Sequence, residues 1–266
     1  MEENRILQLC RKRRSVRTFE DRPLSKEQTD EIRQFIEAME EPFHAGVFFR
    51  FLDRKEYDLS APVLKGEPAY ITICAKKGPY GDVAAGYTGE KLILHLCGMG
   101  LGTVWIGGTM DREAFTKASA LREDEMMVCI TPVGVPAAKM SLRESLMRKG
   151  VKSDRRFAMP AIFQEEDSSR PALQDALYIA ALEAVRLAPS AVNKQPWRIV
   201  HDGEGFHFYL ERSLKKTEEC DMQRVDLGIA LYHFCAVLEE KKKDFRIVIE
   251  PKEREGLEYI ASVMTE

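Results

Sequence analysis

Closely spaced cysteines are absent from this sequence of 266 residues. Even the nearest two of the six, Cys220 and Cys235, are far apart in the sequence, so no Cys-x-x-Cys pair supports a zinc cluster or a dithiol redox motif. The N-terminal residues also lack an apolar segment before a cleavage site. We therefore expect no metal site, reduced thiols and a cytoplasmic location.

An excess of one charge is lacking as well. The 40 Lys and Arg residues are balanced by 43 Asp and Glu residues, which leaves a formal net charge of −3. A globally basic nucleic-acid-binding protein is therefore not expected. Apolar residues make up 44% of the sequence and aromatic residues 9%, which excludes a largely disordered chain.

A long uncharged run, Leu92–Met110, is the stretch that most resembles a membrane span. It carries no formal charge, but it includes His95 and several glycines, which interrupt a helix near its middle. A buried helix followed by a glycine-rich turn fits this composition better than a bilayer helix. We therefore expect no membrane association.

Helical and strand-like patterns are interleaved along the chain without a strict β-α order, which indicates a mixed α+β or α/β layer fold. Ser25 and Gln28 form a capping-box pattern at the start of one helix. The predicted helices are Ser25–Met39, Tyr87–Met99, Ser141–Gly150, Ala172–Leu187 and Val225–Lys241. The predicted strands are Gly46–Leu52, Ala69–Ala75, Met126–Val135, Trp197–His201, Phe206–Leu210, Phe245–Glu250 and Tyr259–Val263.

Two segments of the chain echo each other. LILHLCG (Leu92–Gly98) is similar to ALYHFCA (Ala230–Ala236), and the histidine and the cysteine of the two segments are separated by the same offset. Two diverged copies of one unit would explain the echo, and a chance similarity of two buried helices is the alternative. The polar segment 164–171 is predicted to be a linker, so the predicted halves are residues 1–163 and 172–266.

The basic segment RKRRSVRTF, Arg11–Phe19, could bind a phosphate. Its guanidinium groups offer forked donors beside a hydroxyl, and each charge-assisted hydrogen bond contributes about 1.5–3 kcal/mol. A solvated basic surface is the alternative interpretation. The candidate ligands of the phosphate are Arg13, Arg14, Ser15 and Arg17.

The segment APSAVNKQPW, Ala188–Trp197, ends a predicted helix and leads into a predicted strand. Its short polar groups, Ser190 and Asn193, together with Gln195, can present hydrogen bonds to a flat heterocycle. An ordinary connection between helix and strand is the alternative.

The segment GMGLGTVWIGG, Gly98–Gly108, lacks the spacing of a dinucleotide-binding loop and follows a helix rather than a strand. Glycine allows close approach of the backbone, so Ile106, Gly107 and Gly108 could present amide groups to a ligand. Tight packing of the backbone is the alternative explanation.

Taken together, R-R-S-V-R, A-P-S-A-x-N-x-Q-P-W and G-L-G-T-x-W-I-G-G resemble the signature segments of the nitroreductase-like flavoprotein family. Members of that family are FMN-dependent NAD(P)H oxidoreductases, usually intertwined homodimers with two flavins at the subunit interface. The resemblance implies an α+β fold with mixed, mainly antiparallel sheets flanked by helices. Two related half-units in one chain would then form a pseudo-dimer.

The resemblance also implies roles for individual residues. Arg13, Ser15 and Arg17 would hold the FMN phosphate and the pyrimidine edge, and Arg17 is the candidate for electrostatic stabilisation of the reduced ring. Ile106, Gly107 and Gly108 would supply backbone donors near N5 and O4. The opposing unit would contact the flavin through Pro189, Ser190, Ala191 and Asn193. The late basic pair of the family is matched best by Arg155 and Arg156, for which a solvated surface is the alternative.

The sequence departs from the family pattern in a way that predicts one flavin per chain. The first half has the arginine segment, but its matching loop, Glu40–Phe49, lacks a Ser/Asn pair. The second half has the Ser/Asn loop, but its start, SSRPALQDAL, lacks the arginines. A single site between the halves would use NADH or NADPH to reduce a small electron-poor molecule such as a nitroaromatic or a quinone.

Two other functions remain open from the sequence. The chain could be a flavin-binding carrier or sensor without turnover, or an interaction scaffold whose sites have decayed. Since the internal pair reduces the need for a partner, we expect a monomer or a weak homodimer.

Overall fold

The computed structural model describes residues 4–167, 169, 171–217 and 220–265. Within these ranges the α-helices are α1 (Arg5–Lys12), α2 (Lys26–Glu37), α3 (Gly81–Gly98), α4 (Arg112–Ala118), α5 (Leu142–Gly150), α6 (Met159–Ile162), α7 (Ala176–Leu187) and α8 (Met222–Glu240). The strands are β1 (Phe48–Asp53), β2 (Ala69–Lys76), β3 (Glu125–Val133), β4 (Phe163–Glu165), β5 (Trp197–His201), β6 (Gly205–Leu210), β7 (Phe245–Val248) and β8 (Glu258–Thr265).

Local capping interactions start several helices where the sequence predicts them. At α2, the Ser25 hydroxyl accepts a hydrogen bond from the Gln28 amide, and the Gln28 side chain accepts one from the Ser25 amide. The predicted helix 172–187 is interrupted instead, because the Asp175 side chain accepts a hydrogen bond from the Leu177 amide and so caps α7. Residues Ala172–Gln174 before it form a short 3-10 turn.

The strands form two sheets that confirm the predicted mixed α+β class. The first sheet has the order β1-β2-β3 and is antiparallel throughout. The second has the order β4-β5-β6-β8-β7, and all its pairs are antiparallel except β4 with β5. The central strand β2 is buried from Ala69 to Ala75 on both faces, as a strand covered by other layers requires.

Strand β4 corrects part of the predicted linker. Gln164 pairs with Val200 and Glu165 with His201, so the start of segment 164–171 is an edge strand of the second sheet. The polar composition that predicted a linker is compatible with a short edge strand, where Glu165 also contacts the His201 ring. Ser168 and Arg170 of the predicted linker lie outside the described residues, and the division into two halves stays a prediction.

The buried helices α3 and α8 lie between the two sheets. Helix α3 packs on β2, helix α8 packs on β6, and the two helices pack extensively against each other. One continuous apolar cluster contains residues of both predicted halves, among them Ile71, Leu92, Phe208 and Phe234. No helix in the described parts of the chain is long and apolar enough to cross a membrane.

Two glycines bring the backbones of α3 and α8 into direct contact. A Cβ on Gly86 would lie 2.1 Å from the Val225 carbonyl oxygen, and a Cβ on Gly228 would lie 1.9 Å from that of Val83. These contacts are reciprocal, so the packing matches Gly86 with Gly228 and Val83 with Val225. This register differs from that of the sequence echo, which would match His95 with His233.

The two histidines of the echo accordingly have different surroundings. His233 is fully buried, whereas the His95 ring stacks on Phe35 at a centroid distance of 3.8 Å and its side chain is 27% exposed. The similar residues of Leu92–Gly98 and Ala230–Ala236 thus do not occupy equivalent positions in the pair of helices α3 and α8.

Candidate functional site

Arg13 follows directly after α1 and points into the protein. Its side chain is only 6% exposed, and its Nε lies 3.8 Å from a carboxylate oxygen of the fully buried Glu90. Burial of a guanidinium requires compensation by hydrogen bonds or opposite charge. The Arg13 Nε nevertheless has no hydrogen-bond partner among the described residues.

The arginine segment lies alongside the glycine-rich segment, as the prediction of a shared site requires. Ser15 and Thr103 form a parallel bridge, in which the Val16 amide donates to the Thr103 carbonyl oxygen at 2.9 Å. A Cβ on Gly102 would lie 2.9 Å from the Val16 side chain, so glycine permits this close approach.

Arg14 lies near the buried carboxylate of Glu144, whose charge also acts on Arg17. The Arg14 side chain is 40% exposed, with a terminal nitrogen 3.6 Å from Glu144 Oε1. Burial lowers the pKa of Arg17, the Glu144 charge opposes this shift, and the Arg148 charge adds to it. Arg17 and Arg148 therefore belong to the same region of positive potential.

The three predicted backbone donors differ in their availability. The Ile106 amide donates to the Ile130 carbonyl oxygen at 3.0 Å and is already engaged with β3. Gly107 packs on the Met222 side chain, and its carbonyl oxygen accepts from Arg112 at 2.7 Å. No described atom lies within 4 Å of a Cβ built on Gly108, so this glycine faces open space.

The loop between α7 and β5 adopts a backbone conformation that side chains disfavour. Val192, Asn193 and Gln195 have φ angles of 42°, 59° and 49°, all in the left-handed region. Strain of this kind costs about 1–3 kcal/mol per residue and persists only where the surroundings fix it. The Ser190 hydroxyl accepts from the Gln195 amide at 2.8 Å, which closes the loop on itself.

A buried carboxylate of α8 holds the same loop. Both oxygens of Asp226 accept the Ala191 amide, at 2.9 and 3.1 Å. Asp226 is 1% exposed, and burial raises the pKa of its carboxyl well above the ordinary value. Asp226, which the sequence analysis missed, thus anchors the predicted loop residues 189–195 to helix α8.

The loop 189–195 contacts the segment that contains the predicted basic pair, Arg155 and Arg156. Asn193 Nδ2 donates to the carbonyl oxygens of Lys152 and Arg155, at 2.8 and 3.0 Å. The side-chain oxygen of Gln195 accepts from the Phe157 amide at 2.8 Å. Arg155 is nevertheless exposed, as the alternative of a solvated surface expects, whereas Arg156 is half-buried.

Arg156 is the member of the pair that points inward. One terminal nitrogen donates to the Ser153 carbonyl oxygen at 2.7 Å and to Asn193 Oδ1 at 3.3 Å, but the buried Nε has no partner in the part of the chain that the structure describes. Burial lowers the pKa of Arg156, and the nearby charge of Arg13 lowers it further. Two inward-pointing, mutually repelling guanidinium groups with unsatisfied donors fit an anionic ligand such as a phosphate.

A basic cavity adjoins this region. It has a volume of about 370 Å³ and is open to solvent on one side. Its lining residues are Met140, Ser145, Arg148, Lys149, Lys152, Ser153, Asp154 and Arg155. The positive side chains would attract an anionic ligand toward the inward-pointing Arg13 and Arg156.

Sequence reasoning missed Glu90 and His233 as residues of this region. Glu90 accepts a hydrogen bond from the Trp105 indole at 2.8 Å and lies 3.0 Å from His233 Nε2. A carboxylate in the middle of the largely buried helix α3 was the available signal. His233 is a fully buried histidine, whose Nδ1 also lies 2.7 Å from the Ala184 carbonyl oxygen.

The fold and the site define an α+β protein in which buried arginines and a strained loop from distant parts of the chain meet in one polar region. The family model described as "Putative TM nitroreductase" matches residues 5–237. The chain therefore belongs to this nitroreductase family of oxidoreductases. None of the curated proteins matches the chain significantly.

A solved structure shares the fold along nearly the whole chain. This "putative nitroreductase" from Thermotoga maritima MSB8 is 21% identical, with a TM-score of 0.65 over 99% of this chain and 95% of that one. Two shorter proteins match about half of the chain. A "putative NADH dehydrogenase/NAD(P)H nitroreductase" from Parabacteroides distasonis is 27% identical over 52% of this chain and 91% of its own, with a TM-score of 0.44. A putative nitroreductase from Desulfovibrio desulfuricans, described in complex with FMN, is 20% identical over 54% of this chain and 96% of its own, with a TM-score of 0.43.

Proposed function

We propose that the protein is an FMN-dependent NAD(P)H oxidoreductase that reduces a small electron-poor molecule, such as a nitroaromatic or a quinone. One flavin site lies between the two predicted halves. The observation that carries the proposal is the approach of two inward-pointing guanidinium groups, Arg13 and Arg156, which come from separate parts of the chain and whose like charges call for an anion. Bound FMN would supply a ring that accepts a hydride and passes its electrons to a second small molecule.

The residues of this chain would divide the work of binding by position. Arg13 and Arg156 hold the phosphate, and the adjacent basic cavity steers it inward. Ser15 and Arg17 would contact the pyrimidine edge, where the positive charge of Arg17 would stabilise negative charge on the ring. The Ile106 amide is engaged with the Ile130 carbonyl oxygen, so the candidate backbone donors to the ring are the amides of Gly107 and Gly108.

The opposing wall of the site would be the loop 189–195. Its unusual backbone is fixed by Asp226 and by the hydrogen bonds of Asn193 to residues 152 and 155. A loop that is held this firmly can keep Pro189, Ser190 and Ala191 against a flat ring without further ordering on binding. Pre-organisation of this kind favours affinity for a rigid heterocycle.

The matching loop of the first half supports a single site per chain. There, Glu41 accepts hydrogen bonds from the Phe43 and Gly46 amides of its own loop, at 2.7 and 3.1 Å. The Phe43 ring packs against Tyr80 and Tyr87, with centroid distances of 5.9 Å to each. In the loop Glu40–Phe49, internal hydrogen bonds and aromatic packing thus stand where the loop 189–195 has its Ser/Asn pair.

The decisive experiment is a titration of the purified protein with FMN, followed by measurement of flavin per chain after removal of excess ligand. We expect one FMN per chain. Two flavins per chain would contradict the single composite site. A colourless protein that takes up no FMN would favour the scaffold function instead.

Anaerobic mixing of the flavin-loaded protein with NADH and with NADPH separates the enzyme from the carrier or sensor. The enzyme is expected to lose its visible flavin absorbance with at least one donor and to regain it on addition of a quinone or a nitroaromatic. Absorbance that persists with both donors would indicate a flavin-binding protein without turnover.

A further inference from the structure

A buried polar cluster connects the two predicted ends of the flavin site. Glu90, on α3, is fully buried, and one of its carboxylate oxygens accepts the Trp105 indole N–H at 2.8 Å. The other oxygen lies 3.0 Å from His233 Nε2 and 3.8 Å from Arg13 Nε. A carboxylate in the interior is tolerated only with such partners, because its desolvation is costly.

The partners of His233 define its charge state. Nδ1 lies 2.7 Å from the Ala184 carbonyl oxygen, which can only accept, and Nε2 faces the Glu90 carboxylate. Both ring nitrogens therefore donate when Glu90 is ionised. Burial alone would lower the pKa of His233, but Cys10 and Glu90 outweigh burial and raise the pKa to about 10.

We propose that Glu90, held by His233, is a positioning residue that fixes Arg13 and Trp105 relative to each other and thereby aligns the phosphate end of the site with the ring end. The inference rests on the proposed flavin function. Because Glu90 approaches Arg13 at Nε, both terminal nitrogens of the guanidinium can face the phosphate. Trp105 directly precedes the strip Ile106–Gly108, so its indole hydrogen bond anchors the backbone donors.

The cluster lies on one side of the helix pair only. In the register that matches Gly86 with Gly228, the counterpart of Glu90 is Tyr232 and the counterpart of His233 is Lys91. Tyr232 packs edge-on against the Tyr87 ring at 5.2 Å. The buried ion pair thus accompanies the one arginine segment that the chain has kept.

A purely structural role for Glu90 is the competing explanation, and the choice of ligand distinguishes the two. Riboflavin has the same ring as FMN but lacks the phosphate. Glu90→Gln keeps an oxygen that accepts the Trp105 N–H but removes the charge that holds Arg13. The test compares the dissociation constants of FMN and of riboflavin, each measured by quenching of flavin fluorescence.

In the wild-type protein, FMN should bind more tightly than riboflavin. In Glu90→Gln, the dissociation constant for FMN should rise about tenfold while that for riboflavin changes little, the size expected for loss of one charge-assisted contact. In an Arg13→Ala background, Glu90→Gln should leave the FMN-to-riboflavin ratio unchanged, because the two residues act through one contact.

Asp82→Asn is the matched control, since Asp82 lies on the same helix but contacts the Asp221 amide and not Arg13. Equal weakening of FMN and riboflavin binding in Glu90→Gln, or an unchanged ratio, would overturn the positioning role. If Glu90→Gln does not fold, Glu90→Asp replaces it, because it keeps the charge but withdraws it from Arg13 by one methylene. FMN binding should again weaken more than riboflavin binding, and equal weakening of both would contradict the positioning role. A wild-type protein that binds neither ligand would instead refute the proposed function.

Discussion

At the scale of single residues, Arg13 makes the most direct prediction. Arg13→Ala should weaken FMN binding by about 10- to 100-fold, since one guanidinium contributes roughly 1.5–3 kcal/mol to an anionic ligand. Glu90 keeps Trp105 and His233 as partners, so the fold should persist. The measurement is a flavin titration with a circular dichroism spectrum of each variant.

The control for Arg13→Ala is Arg22→Ala, which removes an exposed arginine paired with Glu20. This variant should bind FMN as the wild-type protein does, because exposed ion pairs contribute little. An unchanged FMN affinity in Arg13→Ala would remove Arg13 from the phosphate site.

The local sequence pattern was enough to select Arg13 and Asn193 as candidate residues, and the structure places both in the same region. Their partners were not predictable, because Glu90, Asp226 and His233 reach the site through contacts between residues far apart in the chain. The commitment of the Ile106 amide to Ile130 was likewise invisible, since it depends on how the glycine-rich segment pairs with β3.

At the scale of elements, the crossing of α3 and α8 depends on Gly86. A Cβ there would lie 2.1 Å from the backbone of Val225, which cannot move without displacing α8. Gly86→Ala should therefore lower the free energy of unfolding by about 2–4 kcal/mol, the range of overpacked cores and backbone displacement. Urea unfolding followed by circular dichroism measures this loss.

Gly98→Ala, at the last residue of α3, is the matched control for Gly86→Ala. The nearest atom to its Cβ would be a Leu9 methyl group at 3.9 Å, an ordinary contact. This variant should be neutral or gain up to about 1 kcal/mol from reduced freedom of the unfolded chain. Similar losses at both positions would show that the close crossing is not what Gly86 provides.

The first turn of α3 also predicts a dependence of stability on pH. Burial raises the pKa of the Asp82 carboxyl to about 6, although a hydrogen bond from the Asp221 amide opposes the shift. Between about pH 4 and pH 6 the folded protein therefore holds a proton on Asp82 that the unfolded chain has released. The free energy of unfolding should accordingly fall as pH rises from about 4 to about 6, and the contribution of Asp82 should be constant above that range.

Asp82→Asn keeps an acceptor for the Asp221 amide but removes the titrating group. It should be more stable than the wild-type protein at pH 7, by roughly 3 kcal/mol at most, and nearly equal to it at pH 4. Urea midpoints at pH 4, 5, 6 and 7 test this difference. A gain of the same size at every pH would exclude the titration of Asp82 as its cause.

Elements were predictable to the extent that their signals are local. The capping residue Ser25 and the strand 197–201 appear where the sequence puts them. Helix α1 was missed although it has a local signal, since the Asn4 side chain caps it by accepting from the Leu7 amide. The amides of Arg5 and Ile6 also donate to the distant Glu240. Strand β4 was missed because pairing with β5, rather than composition, makes a polar segment extended.

At the scale of the whole molecule, the two predicted halves share one interior. The apolar cluster runs from the first sheet through α3 and α8 to the second sheet, so separating the halves would expose the faces that these helices bury against each other. Residues 1–163 would also keep only Phe163 of β4 and would lose its partner strand β5. The sequence suggests two units, and their shared packing predicts that they unfold together.

This arrangement predicts a single unfolding transition, and the chain has only 2 tryptophans with which to observe it. Trp105 lies in the first predicted half and Trp197, fully buried, in the second. Trp197→Phe and Trp105→Phe each leave one reporter. In each variant, the urea midpoint by tryptophan fluorescence should coincide with the midpoint by circular dichroism, since neither half can lose its core while the other keeps one. A Trp105 fluorescence midpoint that differs from the circular dichroism midpoint would mean that the two halves unfold separately. A flavin site between them would then open while one half is still folded.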